Sequence, residues 1–304
     1  MLINCMIAAS GLLFLAIRVL AQAPSGFTES SIQGFNYKCN GCDWTGLCSS
    51  ASEQSPINVL EYQSTCDQSH TFKYQVQNLS SFVTVFETAG PVVYSNFMEF
   101  YLKDLAGEFI GLDSTHVKFR LPSEHQINGA SFDVEMQISG HIKEEYSASM
   151  TNATLSVLFS RIPSQARVFS SDPSYEPTHL FSGGFNPFSP GNFTYNFSQF
   201  FLNEITSPAY YYYEGSSSEP PCSPHMWVLF KQSLYISQND YSKLAGVFGK
   251  DKQFVGTGSN ARSLQLKGYR VVIKGAVDCS TYFGYIVAFA FLFILLVYFI
   301  FKLL

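Results

Sequence analysis

The chain has 304 residues, enough for one large domain or two small ones with a substantial buried core. Only 13% of the residues are charged and the formal net charge is -5, with no run of Lys or Arg. This composition excludes the basic surface on which nucleic-acid binding depends.

Residues 1–23 have the pattern of a secretory signal peptide. An apolar run ends in Ala21-Gln-Ala23, the small-x-small pattern of a cleavage site. Cleavage after Ala21 is an alternative, because Pro24 directly follows Ala23. A charged residue, Arg18, interrupts the run and no basic residue precedes it, so an uncleaved N-terminal anchor is a second alternative.

The cysteines beyond the signal predict disulfides and therefore an oxidising compartment. They are Cys39, Cys42, Cys48, Cys66, Cys222 and Cys279. The Cys39-Asn-Gly-Cys42 motif has the spacing of a redox or zinc motif, but no second pair and no strand–helix context accompanies it. We therefore expect a structural disulfide, either within this pair or to Cys66.

Asn-x-Ser/Thr sequons point to the same compartment and predict a glycosylated surface. Four of them lie between the two apolar ends of the chain. They begin at Asn78, Asn152, Asn192 and Asn196.

A single domain is predicted over residues 24–276, because no linker or repeat divides this stretch. Patterns of period two dominate it and predict strands. The strongest cover 82–86, 116–120, 132–138 and 155–159, with a buried strand at 226–230. Many strands and few helices indicate a mainly β fold of the α+β type.

Three further segments carry predictions. A helix is expected over Ser237–Phe248, with Asn239 and Asp240 as capping residues and Gly249 as its stop. The region 161–200, rich in Ser, Pro, Phe and Asn, is interpreted as a long surface excursion. The run of four tyrosines at 210–213 favours core packing over an interface.

Residues 282–301 contain no charged side chain and predict one C-terminal transmembrane helix. Twenty helical residues span about 30 Å, the thickness of a bilayer's hydrocarbon core. Lys302 follows the run, so 302–304 is predicted to be a short cytoplasmic tail. The chain is then a single-pass type I protein of the secretory pathway, expected at the cell surface. Replacement of the segment by a lipid anchor is the alternative.

Five motifs together carry a family resemblance. They are Gln54-Ser-Pro-Ile-Asn58, Lys118-Phe-Arg-Leu-Pro-Ser-Glu-His125, Glu135-Met-Gln137, Tyr213-Glu-Gly-Ser-Ser-Ser-Glu-Pro-Pro-Cys222 with Trp227, and Asn260-Ala-Arg262. In order and spacing they resemble the α-class carbonic anhydrases. The resemblance implies a large twisted, mostly antiparallel central sheet with peripheral helices. It also implies a Cys48–Cys222 disulfide.

In that family three histidines hold a zinc ion, which lowers the pKa of a bound water to near 7. The resemblance places Lys118, Arg120 and Gln137 at those three positions. A register shifted by two would instead make His116 and Lys118 the first pair. Either register leaves at most one imidazole, so we expect no zinc and no other cofactor.

Other positions of the family's site are retained or altered. The resemblance places Glu124, His125 and Glu135 where the family orients its metal-bound groups, and Ser218 where it has a hydroxyl beside the zinc-bound hydroxide. Leucine and threonine usually flank that hydroxyl, but this chain has Ser217 and Glu219. The proton-shuttle histidine corresponds to Ser80.

Removal of a metal ion leaves buried carboxylates without a counter-charge, which costs several kcal/mol. We therefore expect Lys118 or Arg120 to pair with Glu124 and Glu135 as a substitute for the ion. The alternative is that both cations point to solvent. A rebuilt metal site of His116, His125 and His141 is a further possibility.

The resulting prediction is a membrane-anchored, catalytically inactive ectodomain that binds an unknown protein or polysaccharide, by analogy with inactive members of the family. The main alternative is an active surface carbonic anhydrase with non-standard metal ligands. A structural subunit of a larger membrane assembly is the third interpretation.

Overall fold

The structure is a computed structural model and describes residues 35–66, 72–77, 79–87, 89–103, 109–143, 150–162, 177–205, 209–248, 259–275, 289–294 and 302. The chain divides into two compact units, 1–33 and 34–304. The first unit lies outside the described residues, as does the predicted signal peptide. The description below concerns the second unit.

Strands dominate the fold, as predicted. They are β1 (Asn58–Val59), β2 (Thr65–Cys66), β3 (Phe72–Val76), β4 (Ser80–Glu87), β5 (Gly90–Tyr94), β6 (Met98–Lys103), β7 (Phe109–Arg120), β8 (Gln126–Ile127), β9 (Val134–Ile142), β10 (Asn152–Arg161), β11 (Gly191–Tyr195), β12 (Tyr210–Ser216), β13 (Pro224–Ile236) and β14 (Ile273–Gly275). The helices are α1 (Leu47–Ser50), α2 (Phe197–Glu204) and α3 (Gln238–Phe248), with a 3-10 turn at Glu61–Gln63.

Twelve strands form one large sheet in the order β11-β4-β5-β7-β9-β10-β13-β12-β14-β2, with β6 beside β7 and β3 beside β6. Among the described strands of this sheet, only the β10–β13 and β14–β2 pairs are parallel. A separate two-stranded ladder joins β1 to β8. A large, mostly antiparallel sheet is therefore confirmed. The predicted strand at 132–138 begins two residues late, at Val134.

The two faces of the sheet have different chemistry because successive side chains point to opposite sides. In β9, Val134, Met136 and Ile138 belong to the main hydrophobic core. The intervening Glu135 and Gln137 are equally buried but polar. One face is therefore an ordinary apolar core, and the opposite face carries buried charge.

The main core corrects the prediction for residues 161–200. The described part from 177 onward is no surface excursion, since it supplies large buried aromatic side chains to the core, among them Phe181, Phe185, Phe197 and Phe200. The ring of Phe197 lies 4.4 Å from that of Phe97, centroid to centroid. Each such side chain removes 150–250 Å² from water, which outweighs the polar composition of its neighbours.

Helix α3 forms where it was predicted, but its cap differs. The Oγ of Ser237 accepts a hydrogen bond from the backbone N–H of Asp240 at 3.0 Å. The Asp240 carboxylate in turn accepts one from Ser237 Oγ at 2.6 Å. Ser237 is therefore the N-cap, because it directly precedes the helix and its side chain accepts a backbone N–H of the first turn. Gly249, the predicted stop, lies outside the described residues.

In two disulfides, both cysteines lie among the described residues. Cys48 bonds Cys222 across 174 residues, as the resemblance implied. Cys39 bonds Cys42, which selects the pairing within the Cys-x-x-Cys motif. Cys66 is also disulfide-bonded, whereas Cys279 lies outside the described residues.

The four tyrosines of β12 are all buried, between 0% and 3% exposed, which agrees with core packing. At the C-terminal end, residues 289–294 are helical and the rest of 282–301 lies outside the described residues. Within the part of the chain that is described, no helix is both long and apolar enough to span a bilayer.

Candidate functional site

The three residues predicted at the ligand positions lie together on the polar face of the sheet. Lys118 is paired with Gln137 across the β7–β9 ladder, and Arg120 with Glu135 in the same ladder. Alternation along each strand therefore turns Lys118, Arg120 and Gln137 to one side. Arg120 and Gln137 are 2% and 3% exposed.

Both cations converge on one carboxylate, that of Glu219. The Nζ of Lys118 lies 2.8 Å from Glu219 Oε2, and the Nη2 of Arg120 lies 2.7 Å from Oε1. The hydroxyl of Tyr37 donates to the same Oε1 at 3.2 Å and accepts from Arg120 Nη1 at 3.0 Å. We call Lys118, Arg120, Glu219 and Tyr37 the cation cluster.

This pairing favours the ionised form of Glu219. Burial alone raises the pKa of a carboxyl group, but Lys118 and Arg120 hold the pKa of Glu219 well below its usual range. The carboxylate is therefore ionised at any physiological pH. Burial also lifts the pKa of the Tyr37 hydroxyl, which keeps that group a neutral donor.

Gln137 links the cation cluster to the two glutamates beneath it. Its Oε1 accepts from Arg120 Nε at 3.0 Å. Its Nε2 donates to Glu124 Oε2 at 2.8 Å and to Glu135 Oε1 at 3.0 Å. Arg120 Nε also lies 3.5 Å from Glu124 Oε2. One neutral amide thus serves as acceptor and donor between an arginine and two carboxylates.

Glu135 has a second set of partners. Its Oε1 lies 2.8 Å from His125 Nδ1, and its Oε2 accepts the backbone N–H groups of Glu124 and His125, each at 2.9 Å. Ser156 Oγ donates to Oε1 as well, at 2.9 Å. Burial would raise the pKa of Glu135, but these donors, His125 first, lower it to about 2.

The sequence predicted that Lys118 or Arg120 pairs with Glu124 and Glu135 in place of a metal ion. We call this prediction the substitute-charge hypothesis, and the structure corrects it. Arg120 does reach Glu124, but Glu219 is the closest carboxylate to both cations, and Glu135 is held by hydrogen bonds from other groups. The solvent-facing alternative is wrong for Arg120, which is 2% exposed, and Lys118 is only 16% exposed in its side chain. The sequence shows Glu219 at a position where the family usually has threonine. It does not show that this carboxylate pairs with both Lys118 and Arg120.

Above the cation cluster, polar side chains line the same face. The Oγ1 of Thr154 lies 2.7 Å from Ser139 Oγ and 2.7 Å from His225 Nε2. Burial lowers the pKa of His225 to about 3. Burial, followed by the charge of Lys118, lowers that of His116 to about 3 as well. Both imidazoles are therefore neutral at physiological pH.

This donor set does not fit a zinc ion. The nitrogen of Lys118 carries a proton and is paired with a carboxylate, and a guanidinium offers no lone pair to a metal. The Gln137 oxygen is occupied by Arg120. A divalent cation at this point would also meet two positive charges at close range.

The rebuilt site of three histidines is wrong. His125 is held between Glu135 and Tyr213, whose hydroxyl lies 2.6 Å from its Nε2. His141 is exposed and bonds Asn152. Among the described residues, the one group of three potential ligands close enough for a metal is Cys39, Cys42 and Asp43. Its two sulfurs are joined in a disulfide.

The remaining motif residues hold the framework. Asn260 Nδ2 donates to the carbonyls of Phe119 and Ala89, and its Oδ1 accepts from Leu121 N–H. Arg262 donates to the carbonyls of Ser55 and Cys48. The Ser218 side chain bonds Glu124. These contacts fix the motif residues to the backbone that surrounds the site.

Three further positions complete the comparison of sequence and structure: the sequon asparagines, Ser80 and Tyr37. Of the four sequon asparagines, Asn192 is exposed, Asn152 and Asn196 are partly exposed, and Asn78 lies outside the described residues. Ser80, the predicted shuttle position, is buried and bonds Gln77. Tyr37 belongs to none of the motifs, so no sequence signal pointed to it.

Comparison with known proteins identifies relatives over most of the second unit. A model of the eukaryotic-type carbonic anhydrase family matches residues 39–276. Dioscorin DB3S of Dioscorea polystachya is 28% identical over 232 residues, covering 74% of this chain and 77% of its own length. Carbonic anhydrase 12 of Homo sapiens is 30% identical over 122 residues, covering 38% of this chain and 33% of its own.

Solved structures show the same fold. A crystal structure of dioscorin complexed with ascorbate aligns with a TM-score of 0.57 and 21% identity, over 79% of this chain and 97% of that one. Carbonic anhydrase Cah3 from Chlamydomonas reinhardtii in complex with acetazolamide aligns with a TM-score of 0.56 and 20% identity, over 79% and 99%.

Proposed function

The chain belongs to the eukaryotic-type carbonic anhydrase family, and from that membership we propose that it is an inactive member acting as a binding, adhesion or assembly module. It is glycosylated and held at a cell surface by residues 282–301. Its partner is a protein or a surface polysaccharide. Zinc and other cofactors are absent from its mechanism.

The cation cluster is the observation that carries this proposal. Hydration of CO2 by this family's chemistry needs a divalent ion that makes a bound water acidic. In this chain an ammonium and a guanidinium, both paired with Glu219, fill the place proposed for that ion. Arg120 also lies 3.5 Å from Glu124, so a side-chain cation stands beside this buried carboxylate without a metal.

The lining above the cluster supports the same conclusion. A carbon dioxide molecule is apolar and needs an apolar wall. Ser139, Thr154 and His225 form a hydrogen-bonded polar row there. With both His116 and His225 neutral at physiological pH, neither carries a proton that it could release near pH 7.

A binding role would explain why the chain has the family's fold although its zinc-ligand positions are altered. The framework contacts of Asn260 and Arg262, the Cys48–Cys222 disulfide and the large sheet all persist around an altered site. Sequons between the predicted signal and the apolar C-terminal segment support a location outside the cell, where glycoproteins meet proteins and polysaccharides.

The first test measures metal and activity on the full glycosylated chain, purified in detergent without chelators. Elemental analysis should find far less than one zinc per chain, and stopped-flow hydration of CO2 should proceed at the buffer rate. One tightly held zinc with rapid CO2 hydration would refute the proposal and establish the active alternative.

The second test measures binding. The labelled chain should bind saturably to intact cells of its host. Loss of binding after protease treatment of those cells indicates a protein partner, and loss after polysaccharide digestion indicates a polysaccharide. Absence of saturable binding would contradict a binding or adhesion role.

A further inference from the structure

A short loop near the C-terminal end of the domain exposes several large apolar side chains. Leu266 is 88% exposed and Tyr269 is fully exposed, while Val271 is 56% exposed. The stretch 264–271 that contains them is here called the apolar loop. Single exposed apolar residues are common on soluble proteins, but a group of them along eight residues marks an interaction surface.

The apolar loop is held in place from below. Arg270 is buried, and its guanidinium donates to the carbonyls of Lys267 at 2.9 Å and Leu266 at 2.7 Å. The loop's first half is fixed by Gln265, whose N–H donates to the Pro56 carbonyl at 2.8 Å. These hydrogen bonds restrain the loop backbone before any partner binds. Binding through Leu266 and Tyr269 therefore costs little conformational entropy of the backbone.

A second exposed aromatic residue extends this surface. Tyr62, in the 3-10 turn, is 79% exposed. The turn is fastened to the strand that follows the loop, since Thr65 N–H donates to the Val272 carbonyl at 2.8 Å and Glu61 lies 2.8 Å from Lys274. Tyr62 and the apolar loop therefore belong to one edge of the sheet.

We propose that the apolar loop and Tyr62 rest on the lipid surface of the membrane in which the chain is anchored. This inference depends on the anchoring proposed above. Tyrosine prefers the boundary between headgroups and acyl chains, and leucine adds apolar area that can enter this boundary.

The chain path makes this orientation possible. From Gly275, the end of β14, seven residues lead to Tyr282, where the uncharged run begins. Seven extended residues reach at most about 25 Å. Val271 and Gly275 are four residues apart, about 13 Å along a strand. The tether is therefore long enough for the run to enter the bilayer beside the apolar loop.

A tryptophan reporter in the full chain tests the contact. The two natural tryptophans, Trp44 and Trp227, are buried and supply a constant background. The variant Tyr269→Trp places a third in the apolar loop. Leu79→Trp is the matched control, because Leu79 is 67% exposed beside β4, near the opposite edge of the sheet. Both variants are reconstituted into vesicles with acyl chains brominated near the headgroup, and into unbrominated vesicles.

We expect the added emission of Tyr269→Trp to fall by at least half in brominated vesicles, and that of Leu79→Trp to stay unchanged. If the chain floats with the vesicles but neither reporter is quenched, the apolar loop does not touch lipid, and the anchoring proposal stands. If the chain does not float with vesicles, both proposals fail. Equal quenching of both reporters would also contradict the proposed orientation.

Discussion

Arg120 and Glu219, 99 residues apart in the sequence, meet in a buried ion pair 2.7 Å long. One comes from a central strand and the other from the loop that follows β12. The Arg120 side chain is 2% exposed and that of Glu219 16%, so their attraction is weakly screened and the loss of either partner leaves a charge with fewer partners. The following predictions test what this pair and its neighbours contribute.

Replacement of Arg120 by Leu should strongly destabilise the domain. The change leaves Glu219 with Lys118 alone and removes the donor to Gln137. Breaking a buried pair from one side costs about 3–5 kcal/mol, which lowers the melting temperature of a domain of this size by about 10 °C. Differential scanning calorimetry measures the shift.

The matched control is Arg161→Leu, which breaks a pair with Asp133 at a site where the arginine is 44% exposed. Its melting temperature should change by no more than a few degrees, because exposed pairs contribute about 1 kcal/mol or less. An unchanged melting temperature for Arg120→Leu would count against the substitute-charge hypothesis.

Glu219→Gln should cost stability at neutral pH but much less in acid. Because the folded-state pKa of Glu219 is lowered, its ionised form stabilises the fold above the unfolded value of about 4.3. As pH falls below that value and through the folded pKa, Glu219 becomes protonated and the wild-type chain loses this part of its unfolding free energy. The variant has no carboxylate at position 219, so its unfolding free energy does not change for this reason.

Urea unfolding at pH 7 and pH 3 measures the difference between the two chains, which should be smaller at pH 3. Glu53→Gln, at an exposed position, serves as the control and should show little difference at either pH. A gap between wild type and Glu219→Gln that is the same at both values would contradict the assignment of charge to Glu219.

Rebuilding the histidines should restore a metal site. In the combined variant Lys118→His, Arg120→His, Gln137→His and Glu219→Thr, imidazoles stand at the three predicted ligand positions. Glu124 and Glu135, which now bond Gln137, remain to orient them. Elemental analysis of the folded variant should find about one zinc per chain.

The control for that variant keeps Gln137 and should bind zinc far more weakly, because an amide is a poor third ligand. If the variant with all four substitutions folds but binds no zinc, positions 118, 120 and 137 do not correspond to the family's zinc-ligand positions.

Removal of the long-range disulfide should destabilise the fold more than removal of the short one. In the chain-entropy model, closing the 174-residue separation of Cys48 and Cys222 is worth about 5 kcal/mol, and closing the three-residue separation of Cys39 and Cys42 less than about 2 kcal/mol. Double Cys→Ala variants of each bridge, unfolded in urea, measure both values. Equal losses would contradict the model.

Local patterns located five of the longer strands, at 82–86, 116–120, 132–138, 155–159 and 226–230, because these segments alternate or are continuously apolar. They misjudged residues 177–200, where polar composition conceals phenylalanines that pack in the core. In the site, the resemblance located Lys118, Arg120 and Gln137 on one face. The partnership with Glu219 and Tyr37 was not predictable, because it depends on two loops that meet only in the folded chain.

The Cys48–Cys222 bridge also has a consequence for biosynthesis. Cys222 follows Glu219 by three residues, and its backbone N–H donates to the Glu219 carbonyl. Lys118 and Arg120 precede Glu219 by 101 and 99 residues, so their pairing with Glu219 must wait until residue 219 has been synthesised. The cation cluster and the Cys48–Cys222 bridge can therefore form only after residues 219 and 222 of the 304 have been synthesised.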